Sequence, residues 1–267
     1  MKNIVVKFLS IAIPLGLIFL SGCNQSDSNK TSELEQNVIA EEQETTWKQD
    51  REEIKAVLEK ILSAVGNRNI KVLDDLTYNK AILGWTYIQD GVWLNKEMTM
   101  EEYLRKMAED KEPKPISEIA KGFDITITEG QMAVVIAETI ISQFGVPRSR
   151  EVNHIIMMKE KVDWKLFSVA WTVERLSDEE SKFDLELFAR SYAQVWGSKR
   201  QEFVAMFFEE NGSLRVNDGE PAVGREQITK VAKGFMTDLP DMIVSFDSLV
   251  NKSNGVEFHW TLTATHS

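Results

Sequence analysis

Between Glu118 and Glu174 the chain passes four times in succession through residues that alternate apolar and polar: Glu118–Thr128, Gln131–Phe144, Arg150–Lys159 and Trp164–Glu174. Period-2 alternation is the signature of a strand with one face buried. Glu129-Gly130 and Lys161-Val162-Asp163 are short enough to be hairpin turns between neighbours, so the strands are expected side by side and antiparallel. A sheet of this kind has one apolar face to cover. The residues available to cover it are the helical patterns that come before it.

Ile54, Val57, Leu58, Ile61, Leu62 and Val65 are spaced for one face of a helix that ends at Gly66-Asn67. A short helix is expected over Ile70–Leu76. Ala81–Gln89 and Val92–Leu94 flank Asp90-Gly91, a hairpin signal, and Thr99 with Glu102 is a capping-box pattern that opens a third helix through Tyr103, Leu104 and Met107. Lys111-Glu-Pro-Lys-Pro115 ends it. Helices first and a run of antiparallel strands afterwards is an α+β layout.

The same order begins again after the polar break Ser177-Asp-Glu-Glu-Ser181. Phe183, Leu187, Phe188, Tyr192, Val195 and Trp196 make a first helical face, and Phe203, Met206 and Phe207 a second. Leu214–Val216 is a short strand, Val223–Phe235 a loop into a helix, and Met242–Leu249 and Gly255–Ser267 are strands. Trp196-Gly197-Ser198-Lys199 stands where Val65-Gly66-Asn67-Arg68 stands in the first copy, and Gly255–Ser267 lies without gaps against Gly130–Ser142. Nothing after Ser267 corresponds to Gln143–Leu176, so the second copy is expected to lack its last two strands, by nature or by truncation or frameshift. Either the first copy or another chain is then expected to cover its sheet edge, or the second copy to be unstable and prone to edge pairing.

Ahead of both copies, Lys2 and Lys7 precede an apolar run from Phe8 to Leu20, and Leu20-Ser21-Gly22-Cys23 closes it. That is a signal-peptide layout, and its end resembles the lipobox of bacterial lipoproteins, in which the cysteine carries lipid. The run is shorter than the ~20 residues of a spanning helix. The expected organisation is a signal peptide over 1–22, a disordered tether over 23–46, a first domain over 47–176 and a second over 181–267. Lipid on Cys23 would anchor the protein in the cell envelope, on the outer side of a bacterial membrane. With the signal removed, 29 basic side chains face 42 acidic ones, which argues against nucleic acid and against a basic membrane patch.

In sequence the chain resembles the NTF2-like, or cone-shaped, superfamily. The second copy is similar to its SnoaL-like branch, through Ala222-Val-Gly-Arg-Glu-Gln-Ile228, Leu239-Pro-Asp-Met242 and Phe258-His-Trp-Thr-Leu-Thr-Ala-Thr-His266. The resemblance implies tandem cones, each with N-terminal helices packed on a curved antiparallel sheet, and a pocket between helices and sheet. In the second copy it implies a wall of Tyr192, Trp196, Phe235, Phe258 and Trp260 for a small hydrophobic ligand; the competing reading is that these aromatics are packing.

The cone fold hosts isomerases, cyclases and hydrolases beside many proteins that are not enzymes, so function rests on the site. His259 is the candidate base by chemistry, with Asp241, Asp247 and Tyr192 as partners, although His259 alternates away from Phe258 and Trp260. His154 alternates with Val152, Ile156 and Met158 and is expected as a core histidine. Trp85, Tyr87 and Trp93 are candidates for a pocket mouth, with packing the favoured reading. Phosphate-loop, nucleophile-elbow and dinucleotide motifs are missing from the sequence, and its three histidines form no close pair, so neither cofactor nor metal is expected. The favoured expectation is a membrane-tethered binding or accessory protein, with pairing of two chains through sheet faces as a further expectation. The alternative is an isomerase, cyclase or hydrolase of a small hydrophobic substrate.

Overall fold

The structure, a computed structural model, describes residues 27–253 and 255–265, with side chains described from Trp47 onward. The leader and Cys23 lie outside the described residues. The chain divides into two compact units, Met1–Thr45 and Thr46–Ser267, and both copies lie in the second.

The first copy starts with α1 (Asp27–Asn67) and α2 (Ile70–Leu76). The stretch expected as a tether is thus helical from Asp27; its Glu, Gln, Ala and Lys are good helix formers as well as solvating residues. Ile54, Leu58 and Ile61 of α1 are fully buried, as their spacing predicts. Asp50 on the same helix is buried too, and its Oδ1 accepts from Lys159 Nζ at 2.6 Å and Trp164 Nε1 at 3.0 Å. This polar tie fixes α1 against the far end of the sheet.

Next come β1 (Thr77–Gln89), β2 (Val92–Thr99) and α3 (Met100–Glu109). Asp90 and Gly91 both take positive φ, as a two-residue hairpin turn of the I′ kind requires. Both halves of the Thr99/Glu102 capping box are present. The remaining strands are β3 (Ser117–Ala120), β4 (Asp124–Thr128), β5 (Met132–Gln143), β6 (Val146–Glu160) and β7 (Asp163–Arg175). The sheet runs β2-β1-β7-β6-β5-β3, with β4 also paired to β5. Every pairing is antiparallel except that of β1 with β7.

Two details depart from expectation. Glu118–Thr128 is two strands, because the chain turns away at Lys121-Gly122-Phe123 before rejoining β5. The strand that opens at Arg150 in the sequence reading starts at Val146, after a two-residue turn at Phe144 (φ +50) and Gly145 (φ +78). A phenylalanine in a turn that prefers Asn or Asp hides the hairpin, and Pro147 argues against a strand. Pro147 is accommodated where the β5–β6 register shifts.

The second copy holds α4 (Leu185–Trp196), α5 (Gln201–Ala205), β8 (Ser213–Leu214), β9 (Ala222–Val223), α6 (Arg225–Asp238), β10 (Ile243–Lys252) and β11 (Gly255–Thr263). Asp184 caps α4, so Phe183 stands outside the helix and is 58% exposed. The repeat is visible in the backbone. Arg68 and Lys199, each just beyond the first helix of its copy, both sit in the left-handed region at φ +56 and +59. The residues before them, Asn67 and Ser198, are both buried. The β10–β11 pair is a separate two-stranded sheet among the described residues, packed by α4.

Candidate functional site

Strand register defines two faces of the large sheet. On the inner face, Val135, Ile155, Val169 and Leu83 form one row across β5, β6, β7 and β1, adjoining Ala133, Met157 and Leu166. These deep positions are buried apart from Val169, which is half-buried, and α1 and α3 close over them. The next row toward the open end is Ala137, Asn153, Trp171 and Trp85, and the one beyond is Thr139, Glu151, Val173 and Tyr87. The inner surface therefore changes from aliphatic at its base to polar and aromatic at its mouth. Trp85 and Trp171 stack at 5.4 Å with their planes 18° apart, and both are half-buried.

Two carboxylates sit in this mouth. Glu118, on the short edge strand β3, is buried and accepts at Oε1 from Thr139 Oγ1 at 3.1 Å and Asn153 Nδ2 at 3.4 Å. Asn153 also donates to Thr139 at 3.1 Å, so the three side chains close a small network. Burial pushes the Glu118 carboxyl up to about 7, against the pull of those two donors. Glu151 is pushed up to about 7 as well, by burial and then by the negative charge of Glu118, with Ser149 Oγ donating at 3.3 Å in opposition. Two coupled carboxyls of this kind titrate as a pair.

Tyr103 of α3 completes the cluster. Burial, then the charge of Glu118, raise its hydroxyl to about 12, while Arg68 acts the other way. Arg68 is held by Asp110 at 2.6 Å, and its Nε is buried without a partner. The mouth thus brings together two carboxyls raised by burial, a neutral phenol and an amide donor beside stacked indoles. Such a set can hydrogen-bond an uncharged polar group, or pass a proton to or from it.

The residues singled out in the second copy are placed differently. Tyr192, Trp196, Phe235 and Phe258 lie in a chain of ring contacts at 5.8–6.5 Å, and Phe207 and Phe208 join at Tyr192. They pack on one another. Trp260 is 51% exposed on β11, opposite Phe246. His259 is exposed with its Nε2 3.3 Å from Glu257, while Asp241 is engaged by the backbone and hydroxyl of Thr265, which hold its carboxyl below the usual range. Burial raises the Tyr192 hydroxyl to about 12. The structure therefore does not bring His259, Asp241 and Tyr192 together.

In the first copy, Trp85 and Tyr87 are half-buried on the inner face, whereas Trp93 is 59% exposed on β2. His154 corrects its expectation: it is exposed on the outer face, beside Ile136 and Ile156, because the apolar stripe it shares is the sheet's outer surface. The sequence reading missed Glu118, Glu151, Asn153 and Thr139. Their signal was available, since Glu151 and Asn153 alternate in step with the core residues Ile155 and Met157, and polar residues at inward positions are the informative exceptions. Among the described residues no group of three His, Cys, Asp or Glu is placed to hold a metal ion.

Helices covering one face of an antiparallel sheet, with polar groups gathered at its open end, define the first copy as an α+β cone, and the second repeats its opening elements. Residues 186–267 match the model of the SnoaL-like polyketide cyclase family, so the second copy is similar to that family. Similar solved structures include an NTF2-like protein from Cytophaga hutchinsonii, 16% identical with a TM-score of 0.38, covering 46% of this chain and 98% of that one. An NTF-2 like protein of unknown function from Silicibacter pomeroyi is 12% identical with a TM-score of 0.35, covering 48% and 98%. The hexachlorocyclohexane dehydrochlorinase LinA-type3 from Novosphingobium barchaimii is 12% identical with a TM-score of 0.40, covering 51% and 95%. No curated protein matches the chain.

Proposed function

We propose that this is an envelope protein held to a membrane by lipid on Cys23, and that its first copy binds a small, largely apolar, uncharged molecule. The ligand lies on the half-buried floor of Trp85, Tyr87 and Trp171 and is oriented by the Glu118–Glu151 pair. The observation that carries this reading is the acid pair itself, pushed up to about 7 at both members beside stacked indoles. A site lined by two carboxyls favours a ligand with a donor, and repels anions once they are charged. The match to polyketide cyclases falls on the second copy, whose polar candidates are dispersed, so the binding role is assigned to the first.

The test is quenching of tryptophan fluorescence by planar ligands of matched shape, neutral against anionic, at pH 6 and pH 8.5. Neutral ligands should bind better, and Trp171→Ala should abolish the signal; equal binding of anions counts against the proposal. A second reading, an isomerase or cyclase acting through the same pair, is favoured by a base poised near neutral pH next to Tyr103. It predicts turnover that Glu118→Gln removes while binding persists. Anchoring is tested separately by Cys23→Ala, which should release the protein from the membrane fraction. Pairing of two chains through the outer face, where Met132, Val134 and Ile136 are exposed, is tested by concentration-dependent sedimentation, and a strictly monomeric protein rejects it.

A further inference from the structure

The β5–β6 turn of the first copy ends inside the second. Phe144 packs edge-on against Phe207 at 5.1 Å, Phe207 in turn against Phe188 at 5.2 Å, and Phe188 against Phe183 at 5.7 Å. Phe144 holds a left-handed backbone, a conformation that disfavours a residue with a large side chain by roughly 1–2 kcal/mol. Asparagine would fit that turn better, so the ring is what the position keeps.

Gly145 beside it is approached so closely that a Cβ would stand 2.6 Å from Phe188 Cβ and 2.8 Å from the Asp184 carbonyl. The Asp184 N–H donates to the Gly145 carbonyl at 2.7 Å. At the other end of α4, Asn67 Nδ2 donates to the Gln194 carbonyl at 2.9 Å, and Asn67 is buried. Between these two ties α4 lies along β3, β5 and β6.

Glu118 stands on β3, a four-residue strand paired on one side only, to β5. A strand that short has little hold of its own. Its start is gripped by α1, where Gly66 meets the Ile116 carbonyl, and its flank by α4. We propose that the second copy is a seat for the first: by holding the β5–β6 turn and β3 it keeps Glu118 out of water, and lifting it off opens the acid pair to solvent. The second copy is then a positioning module, gripping Phe144 through Phe207 and, behind it, Phe188. This rests on the acid pair being the working site of the first copy.

The test is Phe144→Asn, which suits the turn and removes only the ring, together with Asn67→Ala at the far tie. Two readouts are followed: hydrogen exchange of each strand, and the titration of Glu118 by carboxyl carbon NMR. The groups that bear on Glu118 are Thr139 and Asn153 from the sheet, Glu151 from β6, Tyr103 from α3 and Arg68 behind it. None of these is altered by the variants. The expected result is exchange at Glu118–Ala120 at least ten-fold faster with β6 and β7 unchanged, and a midpoint for Glu118 that moves down. Unchanged exchange at β3 overturns the proposal, and so does faster exchange spread evenly over both copies. If the wild type itself titrates in the ordinary carboxylate range, it is the binding site that fails; if wild type and variant titrate alike near 7, it is the seat.

Discussion

Replacing Glu118 by glutamine should stabilise the protein in alkaline solution and leave it nearly unchanged in mild acid. The glutamine carbonyl can still accept from Thr139 and Asn153, the two donors at Oε1, so the network survives. What the variant removes is the burial of a charge. A carboxyl raised from 4.5 to about 7 by folding binds more protons in the folded chain than in the unfolded one between those values. Its contribution to stability is full below 4.5 and is lost as the pH rises through about 7. At 1.36 kcal/mol for each pKa unit, the gap amounts to about 3 kcal/mol.

The Glu118 share of the wild type's stability should therefore fall by about 3 kcal/mol between pH 4.5 and pH 8, with Glu151 adding a loss of the same sign in the same window, and Glu118→Gln should remove the Glu118 share. The surface carboxylates whose values are lowered, Glu160, Glu180, Glu226 and Asp241, act in the opposite sense, but only in more acid solution. They do not disturb the window. Urea unfolding followed by tryptophan fluorescence at half-unit steps from pH 5 to 8.5 measures the effect. A wild type equally stable at pH 5 and pH 8, or a variant destabilised by the same amount throughout, refutes the reasoning.

Three further outcomes follow from the packing. Asp50→Ala leaves Lys159 and the Trp164 N–H without their shared acceptor and should destabilise the protein by about 3 kcal/mol, read as a lower urea midpoint. Thr99→Ala removes the cap of α3 and should lower stability by about 1 kcal/mol at all pH values, measured in the same way. Gly145→Ala must displace Phe188 or the Asp184 carbonyl and also strains a left-handed turn, so its loss of about 2 kcal/mol should exceed that of Gly91→Ala, where a Cβ meets open space.

How far these features can be read from sequence depends on whether they are local. The helix faces of α1 and α4, the Asp90-Gly91 turn, the Thr99/Glu102 cap and the alternation of β5, β6 and β7 are properties of a few neighbouring residues, and the sequence shows them. Phe144-Gly145 was not legible because the reason for the phenylalanine lies some sixty residues away, on Phe207. The acid pair was legible by half: Glu151 alternates in step with Ile155 and Met157, but nothing local brings Glu118 to it, since β5 stands between their strands. His154 shows the same limit from the other side: alternation separates two faces of a strand but does not say which one is inside. In the second copy the aromatic set was visible and its state was not, since the same spacing serves a lined cavity and a filled one.

The one parallel pairing in the large sheet has a consequence in time. The hairpins β1–β2, β4–β5, β5–β6 and β6–β7 are joined by short turns and can zip as soon as they are made, but β1 has no lasting partner beyond its own hairpin until β7 exists. Closing so long a loop adds little to the equilibrium cost and much to the wait. As the chain emerges, Trp85 must remain uncovered until Trp171 arrives to stack on it. The rate at which the first cone matures is then the rate at which that last seam finds its register.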